Sequence, residues 1–317
     1  MRLWLPEAST TAPEIDYLIL ALVLISCAVL ALVFGLMLLY MFKYRAGSDI
    51  DRGALAQKTW RLETGWTVAT LLAFFGLFVW GANLYVRLFQ PPADALKIYI
   101  VAKQWMWKAE HAGGQREINA VHFPIGRPIQ LVMTSEDVIH DFSVPAFRIK
   151  YDVLPGRYET LWFRSDKPGS YHLFCTQFCG TDHAHMVGEV VAMPQAEYQK
   201  WLERNGTGET LAAAGKTLFM RYGCSGCHGG NGVVGNQSGS TVRAPPLAGL
   251  YGSPVTLTDG RVVTADDRYI RDCILMPDTQ RVASYPPVMP SFKGQISEED
   301  LLDIISYIKS LAPEKPS

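Results

Sequence analysis

Cys175-Thr176-Gln177-Phe178-Cys179-Gly180-Thr181-Asp182-His183-Ala184-His185-Met186 places two thiols, two imidazoles and a thioether within twelve residues. His140 stands thirty-five residues before Cys175, at the end of one run with β character, while the cysteines lie in the loop after another. Strands distant in sequence can therefore bring its ring to the loop. Sulfur and imidazole are the donors soft copper prefers, whereas hard cations take oxygen. A blue-copper centre needs one Cys, two His and an axial Met. A second thiolate, four residues from the first, lets both sulfurs bridge two copper ions. Each ion then takes one imidazole, with Met186 and a backbone carbonyl as weak axial ligands. The rival is a tetrahedral zinc site of His140, Cys175, Cys179 and His183, which leaves Met186 unexplained. His172 and His185 fall outside the ligand spacing and read as spare histidines.

Working outward, Leu96 to Ala102, Ile129 to Thr134, Thr160 to Arg164, Ser170 to Phe174 and Gly188 to Met193 are short runs with β character. Turn signals at Pro155-Gly156 and Lys167-Pro168-Gly169 separate them, which reads as a small all-β sandwich or barrel. A short helix over Glu197 to Glu203 leads into Asn205-Gly206-Thr207-Gly208, a flexible boundary.

Towards the N-terminus, Tyr17 to Phe42 and Thr64 to Val86 carry no charged residue. Each exceeds the roughly 20 residues a helix needs to cross a bilayer, so the chain begins as a two-helix membrane hairpin. A signal peptide is the bland reading of the first run, but its basic region is weak and no cleavage site follows Leu39. The loop between the runs holds Lys43, Arg45, Arg52, Lys58 and Arg61, against Arg2 alone before them. The positive-inside rule makes that loop cytoplasmic and puts both termini outside, on the periplasmic face of a bacterial inner (plasma) membrane. The net charge of -1 over 317 residues, with no basic stripe, gives no case for a nucleic-acid partner.

Towards the C-terminus, Cys224-Ser225-Gly226-Cys227-His228 has the pattern of covalent c-type haem attachment. Cys224 and Cys227 would form the thioethers, and His228 would be the proximal ligand. A CxxC redox pair lacks the trailing His. Helices are expected over Leu211 to Tyr222 and Ala265 to Leu275, and Ser297-Glu298-Glu299-Asp300 opens another that runs to Leu311. A thioether is the expected distal ligand, and Met276 and Met289 compete for that place. Two electron carriers on one chain imply a relay. An oxidising compartment makes disulfides the alternative for the close cysteine pairs, but each pair is followed by histidine at ligand distance. Cys27 and Cys273 read as packing.

The hairpin, Gln104-Trp105-Met106-Trp107, Ser135-Glu136-Asp137-Val138-Ile139-His140 and the Cys-x-Gln-x-Cys-x-x-x-His-x-x-Met loop resemble subunit II of the haem-copper cytochrome c oxidases. The tail resembles the cytochrome c domain fused to that subunit in the c-haem-carrying branch. The resemblance implies a multi-domain membrane protein: a transmembrane hairpin over 1–92, an all-β cupredoxin-like domain over 93–200, a linker over 201–212 and an all-α class I cytochrome c domain over 213–317. It implies a dinuclear Cu-A centre on His140, Cys175, Cys179, His183 and Met186, with Gln177 as a ligand through its backbone carbonyl. Most members carry Glu at that position, whose carboxylate also touches a magnesium shared with subunit I, so the amide puts magnesium in doubt.

The resemblance further implies that Trp105 admits electrons to Cu-A and that Glu63 stands at the mouth of a proton pathway. It favours Met289, in a proline-stiffened loop, as the distal haem ligand. Lys108-Ala109-Glu110-His111 departs from the family's aromatic continuation. The implied function is the electron-input subunit of a proton-pumping oxidase, an enzyme that reduces oxygen to water on subunit I. Partners would be subunits I and III and, upstream, a quinol-oxidising complex or soluble cytochrome c. A membrane-anchored shuttle outside any oxidase is the non-enzyme alternative. Nitrous oxide reductase shares Cu-A, but it is soluble and joined to a β-propeller. With the haem tethered to the copper domain their encounter is intramolecular, so a strongly charged docking face is not needed.

Overall fold

The two uncharged runs fold as α1 (Ala12–Lys43) and α2 (Trp60–Leu88) in a computed structural model that describes residues 6–50, 59–206, 210–229, 244–283 and 285–311. Arg52 and Lys58 of the basic loop, Thr207 and Gly208 of the boundary and most of the glycine-rich stretch after His228 lie outside those residues. Between their charged ends both helices are apolar all round and almost wholly exposed within the chain, with mean hydropathy of 3.0 and 1.7 over an 18-residue stretch of each. A helix of that kind belongs in a core or a bilayer. No core covers these two, so they fit a membrane anchor. Cys27, expected to pack, is exposed on α1.

The start of α1 and the end of α2 meet through Glu14 and Arg87, 2.5 Å apart, and both rest on a β-sandwich. Arg148 forks onto both carboxylate oxygens of Asp16 at 2.7 Å. Trp162 Nε1 donates to the Arg87 carbonyl at 3.1 Å. Ala8 N donates to the Ala146 carbonyl at 2.8 Å, so the hairpin and the sandwich share a fixed junction.

The sandwich comprises β1 (Leu96–Lys103), β2 (Met106–His111), β3 (Arg116–Ile118), β4 (Ala120–Pro124), β5 (Ile129–Ser135), β6 (His140–Val144), β7 (Ile149–Val153), β8 (Glu159–Phe163), β9 (Gly169–Cys175) and β10 (Val187–Met193). One sheet runs β3-β2-β1-β5-β8 and the other β4-β10-β9-β6-β7. Trp107, Phe123, Phe142, Phe147 and Phe163 are fully buried between them. The five expected runs are all strands. β2, β3, β4, β6 and β7 were not expected, because charged or polar residues interrupt their apolar positions. β2 is the clearest case: Trp107 and Ala109 enter the core, while Lys108 and Glu110 point to the other face. α3 (Gln195–Asn205) then packs back on the sandwich, with Trp201 stacked on His122 at 4.7 Å between ring centres.

The C-terminal part holds α4 (Leu211–Arg221), the short α5 (Ser225–His228), a β11 (Pro254–Thr256) and β12 (Val262–Thr264) hairpin, α6 (Asp267–Leu275) and α7 (Glu298–Ser310). Thr210 and Ser297 cap α4 and α7, their hydroxyls accepting from Ala213 N and Asp300 N. α4 and α7 cross at Gly215, where an added Cβ would lie 1.9 Å from the Asp303 carbonyl oxygen. Only glycine permits that approach.

This helical domain sits on the outer face of the first sheet. Tyr99 and Val101 of β1, Val132 of β5 and Tyr158 share its apolar core with Leu302 and Ile305. Around them Lys108 pairs with Glu136 and Glu299, Arg116 with Glu110 and Asp303, and Arg271 donates to the Gly156 carbonyl at 2.6 Å. A charged docking face is therefore present where the tether made one unnecessary. The near-neutral net charge concealed it, since both signs are spent against each other across the seam.

Candidate metal centre and haem pocket

Adjacent antiparallel strands β6 and β9 bring the upstream histidine to the loop, with Phe142 opposite Cys175 in register. Cys175 and Cys179 are buried and unbridged, their sulfurs 3.7 Å apart. His140 Nδ1 lies 4.0 Å from the Cys175 sulfur, and His183 Nδ1 lies 3.4 Å from the Cys179 sulfur. Met186 Sδ is 3.9 Å from Cys179, and the Gln177 carbonyl is 3.2 Å from the Cys175 sulfur. Each imidazole thus belongs to a different thiol. Among the described residues, His140, Cys175 and Cys179 converge within 4.8 Å of one another, but His183 does not join that group.

Neighbours fix the donors. Asp137 accepts from His140 Nε2 at 2.9 Å, which leaves Nδ1 aimed at sulfur, and it also accepts from Gln104 N at 2.8 Å and Val138 N at 2.7 Å. Partial burial works against ionisation of Asp137, but these donors outweigh it and hold the carboxyl below its usual range. Burial also opposes ionisation of both thiols. Hydrogen bonds at His140 and at the Asp141 and Gln177 backbones nevertheless bring Cys175 down to about 7, while burial and the neighbouring sulfur push Cys179 up to about 12. Gln104 Nε2 and Trp105 Nε1 both donate to the Cys179 carbonyl, at 2.7 and 3.3 Å. Gly180 makes room for them, since a Cβ there would lie 2.9 Å from Gln104 Nε2. Asp137 and Gln104 were not singled out from sequence. Their places beside His140 and Trp105 were the available signal.

Cys224, Cys227 and His228 line a cavity of about 690 Å³ together with Tyr222, Ile270, Ile304 and the proline loop of Met289. His228 Nδ1 donates to the Pro245 carbonyl at 3.0 Å, which frees Nε2 as a ligand atom. Burial lowers the pKa of this imidazole and keeps it neutral. Met289 lines the cavity; Met276 caps the end of α6 and is not among the lining residues. The donor chemistry and the volume fit a haem. The soft, convergent donors of the loop fit copper.

Glu63 lies apart from both sites, in the first turn of α2, where Thr59 Oγ1 donates to its carboxylate at 2.5 Å. His185 is exposed beside Asp182, and His172 is exposed on β9.

Fold and sites together define a membrane-anchored redox protein with a cupredoxin-like domain and a c-type haem domain. Residues 95–193 match the family "Cytochrome C oxidase subunit II, periplasmic domain", and residues 212–312 match "Cytochrome c". The cytochrome c oxidase subunit 2 of Alkalihalophilus pseudofirmus is 27% identical over 321 aligned positions, which cover 96% of this chain and 88% of that one. The alternative cytochrome c oxidase subunit 2 of Bradyrhizobium diazoefficiens is 30% identical over 190, covering 50% of this chain and 66% of that one. The solved periplasmic domain of subunit II of cytochrome oxidase from Bradyrhizobium japonicum is 29% identical and covers 37% of this chain and 96% of that chain, with a TM-score of 0.35. The chain belongs to the cytochrome c oxidase subunit II family and carries a cytochrome c domain fused behind its copper domain. It is thus a subunit of an enzyme, with an electron-input role in an oxidase and association with subunit I. The family implies Cu-A in the first domain and haem in the second.

Proposed function

We propose that the chain passes electrons from an external donor through its own haem, held by Cys224, Cys227, His228 and Met289, to a dinuclear Cu-A centre and on to subunit I. His140, Cys175, Cys179, His183 and Met186 hold the copper pair, with the Gln177 carbonyl. The observation that carries this reading is the division of the imidazoles, His140 beside Cys175 and His183 beside Cys179. A mononuclear Cys2His2 zinc site needs all four donors around one point, whereas two bridged ions need one imidazole each.

When bound, the copper pair and the haem each supply a one-electron site. The protein's part is to keep the donors in place and dry. Asp137 fixes the His140 tautomer, Pro245 fixes that of His228, and the sandwich core excludes water from Cys175 and Met186. Trp105 packs against that core and hydrogen-bonds the Cys179 carbonyl, which supports a place for it on the path into copper.

Glu63 opens α2 with its side chain exposed within this chain, which supports proton uptake at a boundary with subunit I. Subunit III, a donor that is either a quinol-oxidising complex or soluble cytochrome c, and placement in a bacterial inner membrane with both termini outside complete the reading. So does the division into 1–92, 93–200, 201–212 and 213–317. The exposed Gln177 amide offers a magnesium one charge fewer than a carboxylate would.

Metal analysis with visible and near-infrared spectra of the full chain tests the central reading. About two coppers and one haem iron per chain are expected. Stoichiometric zinc after copper reconstitution, with no mixed-valence copper signal, would overturn it. In the assembled oxidase, Glu63→Ala is expected to slow turnover with both spectra unchanged.

A further inference from the structure

Lys108 and Glu110 stand two residues apart on β2, both on the face away from the sandwich core, and Glu299 and Asp303 stand four apart on α7. A two-residue step along a strand and one turn of a helix cover nearly the same length, roughly 6 to 7 Å. The strand and the helix can therefore be matched pair by pair. Lys108 Nζ joins Glu136 and Glu299, and Arg116 of β3 joins Glu110 through Nε at 2.7 Å and Asp303 through Nη2 at 2.9 Å.

The second pairing is unbalanced. Two carboxylates, with side chains only 2% and 3% exposed, share one guanidinium that is itself 53% exposed. Buried Glu110 Oε2 accepts no hydrogen bond among the described residues. The charged groups facing Glu110 are Arg116 from β3 and Asp303 and Glu299 from α7. Lys108, on its own strand, is already shared by Glu136 and Glu299, and Tyr99 lies opposite on β1, its hydroxyl accepting from Lys309 at 2.8 Å. From α4, Gly215 meets the Asp303 backbone and Arg221 is paired with Asp300 at 3.2 Å. With Lys103 and Lys108 taken up by Glu136 and Glu299, an ionised Glu110 therefore adds a second carboxylate charge against the single guanidinium of Arg116. With the haem domain lifted away, the same side chain would stand on an open sheet face in water.

We propose that Glu110, Arg116 and Asp303 form a proton-linked latch that fixes the fused haem domain on the copper domain, engaged when the carboxylate pair holds a proton and loosened when it loses it. Its consequence for electron transfer rests on the haem-to-copper route proposed above. The latch neighbours both sites. Glu136 precedes the Asp137 that holds His140, and Asp300 accepts from Tyr222 at 2.7 Å, two residues before Cys224. Burial, then the carboxylates of Asp303 and Glu299, raise Glu110 in the docked form from its ordinary 4.5 to about 7 despite Arg116. The docked form then binds the proton more tightly than the undocked form. Docking is full below about 4.5, weakens as pH rises from there to about 7, and stays weak above it. Across that window the docking equilibrium changes on the order of a hundredfold.

The experiment uses the full chain with both cofactors in place and reads two quantities between pH 5 and 8. One is amide hydrogen exchange in 96–111 and 298–311, corrected for the intrinsic pH dependence of exchange, with 187–193 as an internal control. The other is flash-induced haem-to-copper electron transfer. In the unaltered chain, interface protection and transfer rate should fall together as pH rises to about 7, while the control segment stays constant. Glu110→Gln and Asp303→Asn should each dock tightly at every pH and remove most of the pH dependence. Unchanged pH dependence of interface protection in both variants, or none in the unaltered chain, would overturn the latch. If protection follows pH and the variants abolish its response while the transfer rate stays flat, the latch stands and the haem-to-copper route fails.

Discussion

The copper loop and the haem pocket are both ligand sets on one chain, but the protein around them differs in kind. The proposed copper donors lie on adjacent strands of a filled sandwich and in the loop after them, with the His140, Cys175, Cys179 and Met186 side chains already buried. The haem ligands line an apolar cavity of about 690 Å³. Without its cofactor that apolar lining would face water, which opposes folding of the domain. The copper domain is therefore a scaffold that receives its metal, whereas the haem domain relies on its cofactor to cover part of its apolar interior.

The largest effect should follow from removing haem attachment. In Cys224→Ser/Cys227→Ser, hydrogen exchange over α4, α6 and α7 is expected to approach that of an unfolded chain while the copper spectrum survives. Native-like protection of those helices without haem would end the contrast. Next, Gly215→Val forces a branched side chain into the α4–α7 crossing, and the haem domain should lose about 3 kcal/mol or more by thermal melting. Unchanged melting would mean that the crossing tolerates a Cβ.

Cys175→Ser sharpens the copper side. It should abolish the copper centre in metal analysis and spectra, leave the haem spectrum intact and shift the melting of the metal-free copper domain by only about 1 kcal/mol. Collapse of the domain would show that the scaffold depends on the thiol itself. The smallest effect is expected from Trp105→Phe, which removes the Nε1 bond to Cys179 but leaves the Gln104 bond. About 0.5–1.5 kcal/mol should go, since one neutral hydrogen bond contributes that much. A shift in the copper absorption bands would show that Trp105 also orders the loop.

Much of both sites was legible because their chemistry is local in sequence. Twelve residues hold five of the proposed copper donors, and five hold the proposed haem attachment. The uncharged runs gave the hairpin because a bilayer reads length and polarity alone. β2 was not legible. Lys108 and Glu110 resemble residues of a solvated segment, and they are strand residues buried at an interface only because α7 covers them with acids from nearly two hundred residues away.

The sequence by itself thus determined which atoms could bind copper and haem, where the chain meets the membrane, and the order of the domains, since each depends on residue type and short spacing. Tertiary structure alone decided that His140 faces Cys175 while His183 faces Cys179, and that the haem domain rests on a charged seam. Those outcomes depend on strand register and helix crossing, which set distances between residues that spacing along the chain leaves free.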